Sequence, residues 1–171
     1  MYQQATKILR HFFSDAFIFK YGFNLSPMYR RSTGKLTYVS DNLHKIVVKI
    51  PISYKNKNYV GSIFGGSLYA ATDPIFMIQL IHILGDDYVV WDKASCIRYK
   101  KPVFKSVTVT FEFSEDEIAS IKNQIAKKNE IDIVKTIELK DENEVVYTEL
   151  DKTIYIANKI FYKEKLKKNK H

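Results

Sequence analysis

A single carboxylate, Asp73, stands within a long apolar stretch of this chain. It lies near the end of "NYVGSIFGGSLYAATDP", residues 58–74, and it is the only Asp, Glu, Lys or Arg between residues 58 and 85. A carboxylate that is taken out of water has to be ion-paired, hydrogen-bonded or protonated, and each of these states costs free energy. Because carboxylates in such surroundings often serve as general bases or nucleophiles, Asp73 is the first candidate for chemistry.

Three glycines, Gly61, Gly65 and Gly66, precede Asp73 in the same stretch. Adjacent glycines at the start of a helix leave the backbone amides accessible, because no Cβ obstructs an approaching group. Such amides and the helix dipole together stabilise an oxygen atom that carries negative charge. The glycines are not followed by the Lys-Ser/Thr pair of a phosphate-binding loop, so the sequence does not predict a nucleotide site.

Asp73 also fits a purely structural role, because Asp followed by Pro is a common helix start. In that role Asp73 is the N-cap, Pro74 takes the first helical position, and the carboxylate only accepts hydrogen bonds from backbone amides. The sequence leaves both roles open.

The residues around Asp73 predict a helix that is buried on all sides. From Ser67 to Leu84 apolar residues cover the whole circumference, and Gly85 then ends the helix. Pro74 predicts a kink beside Asp73. Because the Asp73-Pro74 pair divides the apolar stretch into short segments, we expect no transmembrane segment.

Several other segments alternate as strands do. Residues 46–52 place isoleucine and valine on one face, and residues 107–113 do the same with valine and phenylalanine. Ser114 and Glu117 form a capping-box signature at the start of a helix, and the turn "DENE" joins the two strands of a hairpin. Because a helix that is apolar all round needs cover on every side, we predict an α+β fold with a curved antiparallel sheet around a long central helix.

Composition limits the class of protein. The single cysteine, Cys96, excludes a disulfide framework and indicates a reducing compartment, so we expect a cytoplasmic protein with Cys96 packed in the core. Residues 1–158 predict one domain with an N-terminal helical extension over residues 4–24. Residues 159–171 form a basic tail that holds six Lys and one Glu, which is most of the net charge of +8.

The basic tail favours a solvated C-terminal helix, with contact to anionic lipid or nucleic acid as the alternative. The rest of the chain is nearly balanced in charge, so we expect no nucleic-acid partner. No spacing of His, Cys, Asp and Glu predicts a metal site.

The order of elements and the glycine motif resemble the hotdog-fold superfamily of thioesterases and thioester dehydratases, on its phenylacetyl-CoA-thioesterase-like side. The family pattern is Asn-x-x-Gly-x-x-His-Gly-Gly, then six residues, then an acidic residue in the central helix. Here it reads Asn58, Gly61, Phe64, Gly65, Gly66 and Asp73, so Phe64 replaces the His. The segment "IRYKKPV", with Lys101-Pro102, matches a basic-Pro pair in the family. The resemblance covers residues 35–157 and is strongest from Asn58 to Val103.

This resemblance implies an acyl-CoA thioesterase that works without a cofactor, coenzyme A being part of the substrate. It implies that Asp73 is the general base or nucleophile and that Gly65 and Gly66 bind the oxyanion. In the family this carboxylate comes from the neighbouring subunit, so the resemblance implies a homodimer, possibly a tetramer. Substrate-binding residues would be Asn58, Gly61, Phe64, Lys100 and Lys101, the two lysines facing coenzyme A phosphates.

The departure at Phe64 keeps other interpretations open. Phe keeps the backbone of the His position but loses its polar side chain, which also fits a protein that binds acyl thioesters or other lipidic ligands without chemistry. Phe64 fits a plain core position equally well. Asn58 also suits a turn that stabilises its loop, and the lysines suit a solvated strand edge.

Overall fold

The computed structural model describes residues 12–168, and the central helix predicted from the sequence lies against one six-stranded sheet. The helices are α1 (Asp15–Leu25), α2 (Pro27–Arg30), α3 (Gly65–Thr72), α4 (Ile75–Leu84), α5 (Glu115–Lys128) and α6 (Lys159–Lys168). The strands are β1 (Lys35–Val39), β2 (Lys45–Ile50), β3 (Tyr88–Tyr99), β4 (Val107–Glu112), β5 (Glu130–Lys140) and β6 (Val146–Asn158).

The sheet is antiparallel throughout and has the strand order β1-β2-β4-β5-β6-β3. The long strands β5 and β6 form the predicted hairpin, and β3 lies at one edge of the sheet with β6 as its neighbour. In contrast, β4 and β5 are joined by one registered pair, Thr108 with Lys140. The predicted α+β hotdog fold is confirmed.

The core lies between the concave face of the sheet and helices α3 and α4. Alternate residues of β2, β4 and β6 are buried against these helices, as the period-two pattern predicted. At the centre, the ring of Phe76 on α4 makes edge contacts with Phe111 and Phe113, at centroid distances of 4.9 and 5.3 Å. Burying each such ring stabilises the fold by about 1.5–3 kcal/mol, so this cluster anchors α4 to the sheet.

Helix α5 shows how local sequence sets one element. The Ser114 hydroxyl accepts a hydrogen bond from the Glu117 amide, and the Glu117 carboxylate accepts one from the Ser114 amide. The predicted capping box is therefore present. The narrow apolar stripe of Ile118, Ile121 and Ile125 is buried.

The central helix differs from the prediction in two respects. It is not buried on all sides, because Ala70 and Ile81 on the face away from the sheet are exposed. It is also two helices, not one kinked helix from Ser67 to Leu84. Helix α3 begins two residues earlier, at Gly65, and ends at Thr72; Asp73 is extended, with φ −97° and ψ 130°. The physical reason is Pro74, which has no amide hydrogen to donate and pushes the residue before it out of the helical region. The break turns Asp73 out of the helical ladder.

The stretch Gly65–Leu84 is the one part of the described chain that is long and apolar enough to cross a membrane by length and composition. Here it is the core helix pair of the hotdog fold, and residues such as Ile75, Phe76 and Leu80 are fully buried against the sheet.

The two ends of the chain also correct details of the prediction. Of the helix predicted over residues 4–24, residues 4–11 lie outside the described residues, and α1 begins at Asp15 behind an N-cap at Ser14. The stretch "NLSPMYRRSTG" predicts a break between elements, but residues 27–30 within it form the short helix α2. The predicted C-terminal helix is present as Lys159–Lys168.

Cys96 was expected in the core, and this was wrong. It lies on β3 in an exposed position, opposite Asp151 of β6 on the outer face of the sheet.

Candidate functional site

The first turn of α3 presents two unoccupied backbone donors. Phe64 is the N-cap, and its carbonyl accepts hydrogen bonds from the amides of Ser67 and Leu68. The amides of Gly65 and Gly66 have no acceptor within residues 12–168. Since the positive end of the helix dipole lies at the same place, this turn can stabilise an oxygen atom with negative charge.

Two aromatic rings explain why glycine is needed at these positions. A Cβ on Gly65 would lie 2.8 Å from the ring of Tyr99, and a Cβ on Gly66 would lie 2.3 Å from the ring of Phe64. Any side chain would therefore displace a ring. The Phe64 side chain is 57% exposed, so the interpretation of Phe64 as a core residue of the subunit is wrong.

Phe64, Gly66 and Asp73, three residues that the sequence singled out, line one groove of about 470 Å³. Its other walls come from α3, where Tyr69 contributes apolar surface, and from the segment around α2, where Met28 does so. The structure thus brings the N-terminus of α3 and the helix break into a common space, although the two are seven residues apart in sequence.

Asp73 does not cap a helix. The N-cap of α4 is Pro74, no side chain hydrogen-bonds to the amides of its first turn, and the Asp73 carboxylate instead accepts a hydrogen bond from Lys152 Nζ at 2.9 Å. The alternative role as N-cap is therefore wrong. The Asp73 side chain is 44% exposed, so it faces the groove on one side and the lysine on the other.

Lys152 is a functional candidate that the sequence reasoning missed. It lies at an inward-facing position of β6, and its side chain is fully buried. Its ammonium is 2.9 Å from Asp73 Oδ1, 3.0 Å from Asp92 Oδ2 and 5.6 Å from the centre of the Tyr69 ring. Burial alone would lower the pKa of Lys152, but the two carboxylates outweigh it and the pKa is raised.

Asp92 completes this group, which we call the inner triad: Asp73, Asp92 and Lys152. Asp92 lies on β3 beside a bulge, where Asp92 and Ala94 are both in register with β6 and Lys93 is the extra residue. Apart from the ion pair with Lys152, neither Asp92 oxygen has a hydrogen-bond partner of good geometry within residues 12–168. Burial raises the pKa of Asp92, against the lowering effect of Lys152 and with the help of nearby Asp73.

Asn58 and Gly61 shape the loop that leads into α3. The Asn58 side chain accepts hydrogen bonds from the amides of Val60 and Ser62 at 3.1 Å and donates one to the Ser62 hydroxyl at 2.8 Å. Gly61 has φ +82°, a conformation that favours glycine. These contacts favour the turn-stabilising role of Asn58, and its contact with substrate stays a prediction.

The two candidate lysines differ in their surroundings. Lys100 Nζ donates a hydrogen bond to Glu149 at 2.6 Å. Lys101 is exposed and has no ion pair within the described residues. A phosphate group would therefore meet an available ammonium at Lys101 and a competing carboxylate at Lys100. Across residues 12–168 no cluster of His, Cys, Asp and Glu has the arrangement to hold a metal ion.

The sheet, the paired central helices and the groove define a hotdog-fold protein that is similar in structure to thioesterases. The chain belongs to the family described as a domain of unknown function, DUF4442, which matches residues 15–156 and so includes α1. Among curated proteins no match was found.

Three solved structures illustrate the likeness. A protein of Pseudomonas aeruginosa described as a probable thioesterase has a TM-score of 0.71 at 15% identity, over 81% of this chain and 93% of that one. A protein of unknown function from Chlorobaculum tepidum has a TM-score of 0.63 at 17% identity, over 91% and 96%. A thioesterase from Haemophilus influenzae has a TM-score of 0.59 at 13% identity, over 80% and 87%. At these identities the likeness establishes the fold.

Proposed function

We propose that this protein hydrolyses an acyl thioester in the groove between α2 and α3. One observation carries the proposal: Asp73 and Gly66 line the same groove, so a carboxylate and a helix N-terminus with unoccupied amides face one ligand space. Asp73 is the general base or the nucleophile, and Gly65 and Gly66 donate hydrogen bonds to the substrate carbonyl.

In the general-base form of the reaction, Asp73 takes a proton from water as the water oxygen attacks the thioester carbon. The carbonyl oxygen gains negative charge and is stabilised by the two amides. The carbon–sulfur bond then breaks, and the leaving thiolate takes the proton from Asp73, which regenerates the carboxylate and gives the free thiol and the carboxylic acid as products. The chemistry requires no redox step.

Distance along the helix argues for a dimer. Gly66 and Asp73 are seven residues apart, which is about 10 Å at 1.5 Å per helical residue. A carbonyl carbon held by the Gly66 amide therefore lies too far from the Asp73 of the same chain for that carboxylate to attack it directly as a nucleophile. In the family that the sequence resembles, the carboxylate comes from the neighbouring subunit, so we propose that the Asp73 of a second copy completes the site in a homodimer.

Strand β3 offers a surface for that dimer. It is 12 residues long and lies at the sheet edge, and Trp91 on it is 53% exposed. An unpaired strand edge is a ready template for pairing with another strand. Size-exclusion chromatography with light scattering at micromolar concentration is expected to give a dimer or a tetramer, and a clean monomer would contradict this part of the proposal.

The lining of the groove favours a substrate with an apolar acyl group, and the exposed ammonium of Lys101 is suited to bind the phosphates of coenzyme A. Met28, Phe64, Tyr69 and Ala70 all line the groove, and Asp73 is its one carboxylate within the described residues. The test is a panel of acyl-CoAs of increasing chain length, with the released thiol detected. We expect turnover to increase as the apolar acyl chain becomes longer.

A second candidate function is binding of an acyl thioester without hydrolysis. The ring of Phe64 favours it, because that ring lies against Gly66, where a substrate carbonyl would have to approach. In the same panel, thermal stabilisation by acyl-CoAs without release of thiol would support binding over catalysis.

A further inference from the structure

The inner triad points to a task for two residues that do not contact the substrate groove. Lys152 and Asp92 do not line the groove, yet Lys152 bonds directly to the carboxylate that does. We propose that Lys152 and Asp92 are positioning residues: Lys152 fixes the orientation of the Asp73 carboxylate, and Asp92 keeps that carboxylate able to accept a proton. This inference rests on the proposed role of Asp73 in hydrolysis.

Orientation follows from burial. The fully buried Lys152 side chain cannot turn its ammonium towards solvent. The ammonium contacts Asp73 and Asp92 and faces the Tyr69 ring. Because the hydrogen bond takes up Oδ1 of Asp73, the half-exposed carboxylate keeps its other oxygen available for a water molecule or a substrate carbon in the groove.

The ability of Asp73 to accept a proton depends on how many carboxylates share Lys152. If Lys152 had only Asp73 as partner, protonation of Asp73 would leave a buried ammonium with no counter-charge, which is costly, and Asp73 would be a poor base. With Asp92 beside it, Lys152 stays balanced after Asp73 has taken up a proton. The second carboxylate therefore offsets the effect of the lysine on the first.

Two other charged side chains on the elements around the triad are those of Lys135 and Arg31. On β5, Lys135 is the cross-strand neighbour of Lys152, and its ammonium is paired with Glu117 of α5 at 2.6 Å. Arg31 lines the groove together with Asp73 and is exposed. On β3 the residue opposite Lys152 is Ser95, which carries no charge.

The experiment measures kcat/KM against pH in Lys152→Met, Asp92→Asn and the double variant. The quantity compared is the acid limb, the fall of kcat/KM at low pH that follows protonation of Asp73. Without Lys152 the carboxylates repel each other, so the limb is expected to move to higher pH by about one unit or more. Without Asp92 the lysine belongs to Asp73 alone, so the limb moves to lower pH. The double variant removes one charge of each sign and returns close to the wild type. Lys165→Met, which removes an ammonium paired with Glu130, is the matched control and leaves the limb unmoved.

A second measurement separates this inference from the proposed function. The carboxyl carbon-13 signal of Asp73, assigned by its loss in Asp73→Asn, is titrated by NMR in the same proteins. If no thioester is hydrolysed, the proposed function fails, and the NMR midpoints still decide the inference. Opposite displacements in the two single variants support it. Unmoved midpoints, or displacements in the same direction, overturn it. If Lys152→Met does not fold, the comparison of Asp92→Asn with the charge-balanced double variant decides in its place.

Discussion

The paired strands β3 and β6 contribute to two clusters of ion pairs, one on each face of the sheet. On the inner face, Lys152 stands between Asp73 and Asp92. On the outer face, Arg98 stands between Glu149 and Asp151, with 2.6 Å from its Nη2 to an oxygen of each carboxylate. We call this second group the outer triad. In each cluster one cation bridges two carboxylates, and on the outer face a second cation, Lys100, also pairs with Glu149 at 2.6 Å. The bridging cations differ in burial, because the Lys152 side chain is fully buried and the Arg98 side chain is 45% exposed.

The pKa values of the two outer carboxylates and of Asp92 are shifted in opposite directions. The hydrogen bonds from Lys100 and Arg98 lower the pKa of Glu149, and those from Thr136 and Arg98 lower the pKa of Asp151. In the inner triad, burial raises the pKa of Asp92 although a lysine lies 3.0 Å away. Ion pairing therefore lowers the pKa of the outer carboxylates, whereas at Asp92 the effect of burial outweighs that of the neighbouring lysine.

The largest expected effect is on catalysis, from Asp73→Asn. Asn keeps the size of the side chain and an oxygen for Lys152 Nζ but cannot take up a proton, so turnover should fall by about 10²–10⁴-fold. The fold should be retained, because Asp92 remains to balance Lys152. Thiol release and thermal unfolding measured on the same preparation check this.

Undiminished hydrolysis in Asp73→Asn would remove Asp73 from the mechanism. The control is Asp151→Asn, which makes the same change on the outer face, where the carboxylate pairs with Arg98, and should leave turnover unchanged.

The next effect is on stability and compares the two cations. Lys152→Met leaves Asp92 buried without its counter-charge, and we expect the free energy of unfolding to fall by about 3–5 kcal/mol. Arg98→Met leaves Glu149 paired with Lys100 and Asp151 hydrogen-bonded to Thr136, and the Arg98 side chain is itself half-exposed, so its effect should be much smaller. Urea midpoints at pH 7 measure both. Equal losses in the two variants would mean that burial is not what separates the triads.

The smallest effect is on acid stability and concerns the outer triad. The folded-state pKa values of Glu149 and Asp151 are lowered, so their stabilising contribution is present above the ordinary carboxylate pKa and is lost as pH falls through the folded values. Urea midpoints of the Glu149→Gln/Asp151→Asn variant between pH 6 and pH 3 should therefore fall less steeply than those of the wild type. At high salt this difference between variant and wild type should be smaller, because exposed charges are screened. A steeper fall in the variant would contradict this reading of the outer triad.

The elements that local sequence determines were predicted well, and the inner triad shows where such prediction stops. Period-two alternation located the strands, and the capping box located α5. Pro74 indicated a disturbance in the central helix, but whether the helix kinks or breaks depends on what surrounds it. Helix α2 was missed, although Ser26-Pro27 is a helix-start signal of the kind that was considered at Asp73-Pro74.

The partner of Asp73 was beyond reach of the sequence, because Lys152 is 79 residues away and meets it only through the strand order. One signal was nevertheless present. In β6 the inward positions run Leu150, Lys152, Ile154, and a charge within an apolar alternation indicates a buried ion pair. The coarse position of the site came from a resemblance, whereas its electrostatics required the fold.

The junction between β4 and β5, joined by the single registered pair of Thr108 and Lys140, divides the sheet into two halves of three strands. Backbone amides on either side of this seam lack the ladder that slows exchange with solvent, so hydrogen exchange should sort the domain into two cooperative units. Both Asp92 and Lys152 belong to the β5-β6-β3 unit, whereas Phe111 and Phe113, which hold α4, belong to the β4 side. Local opening at the seam can thus loosen the central helices while the lysine and its strand neighbours stay protected.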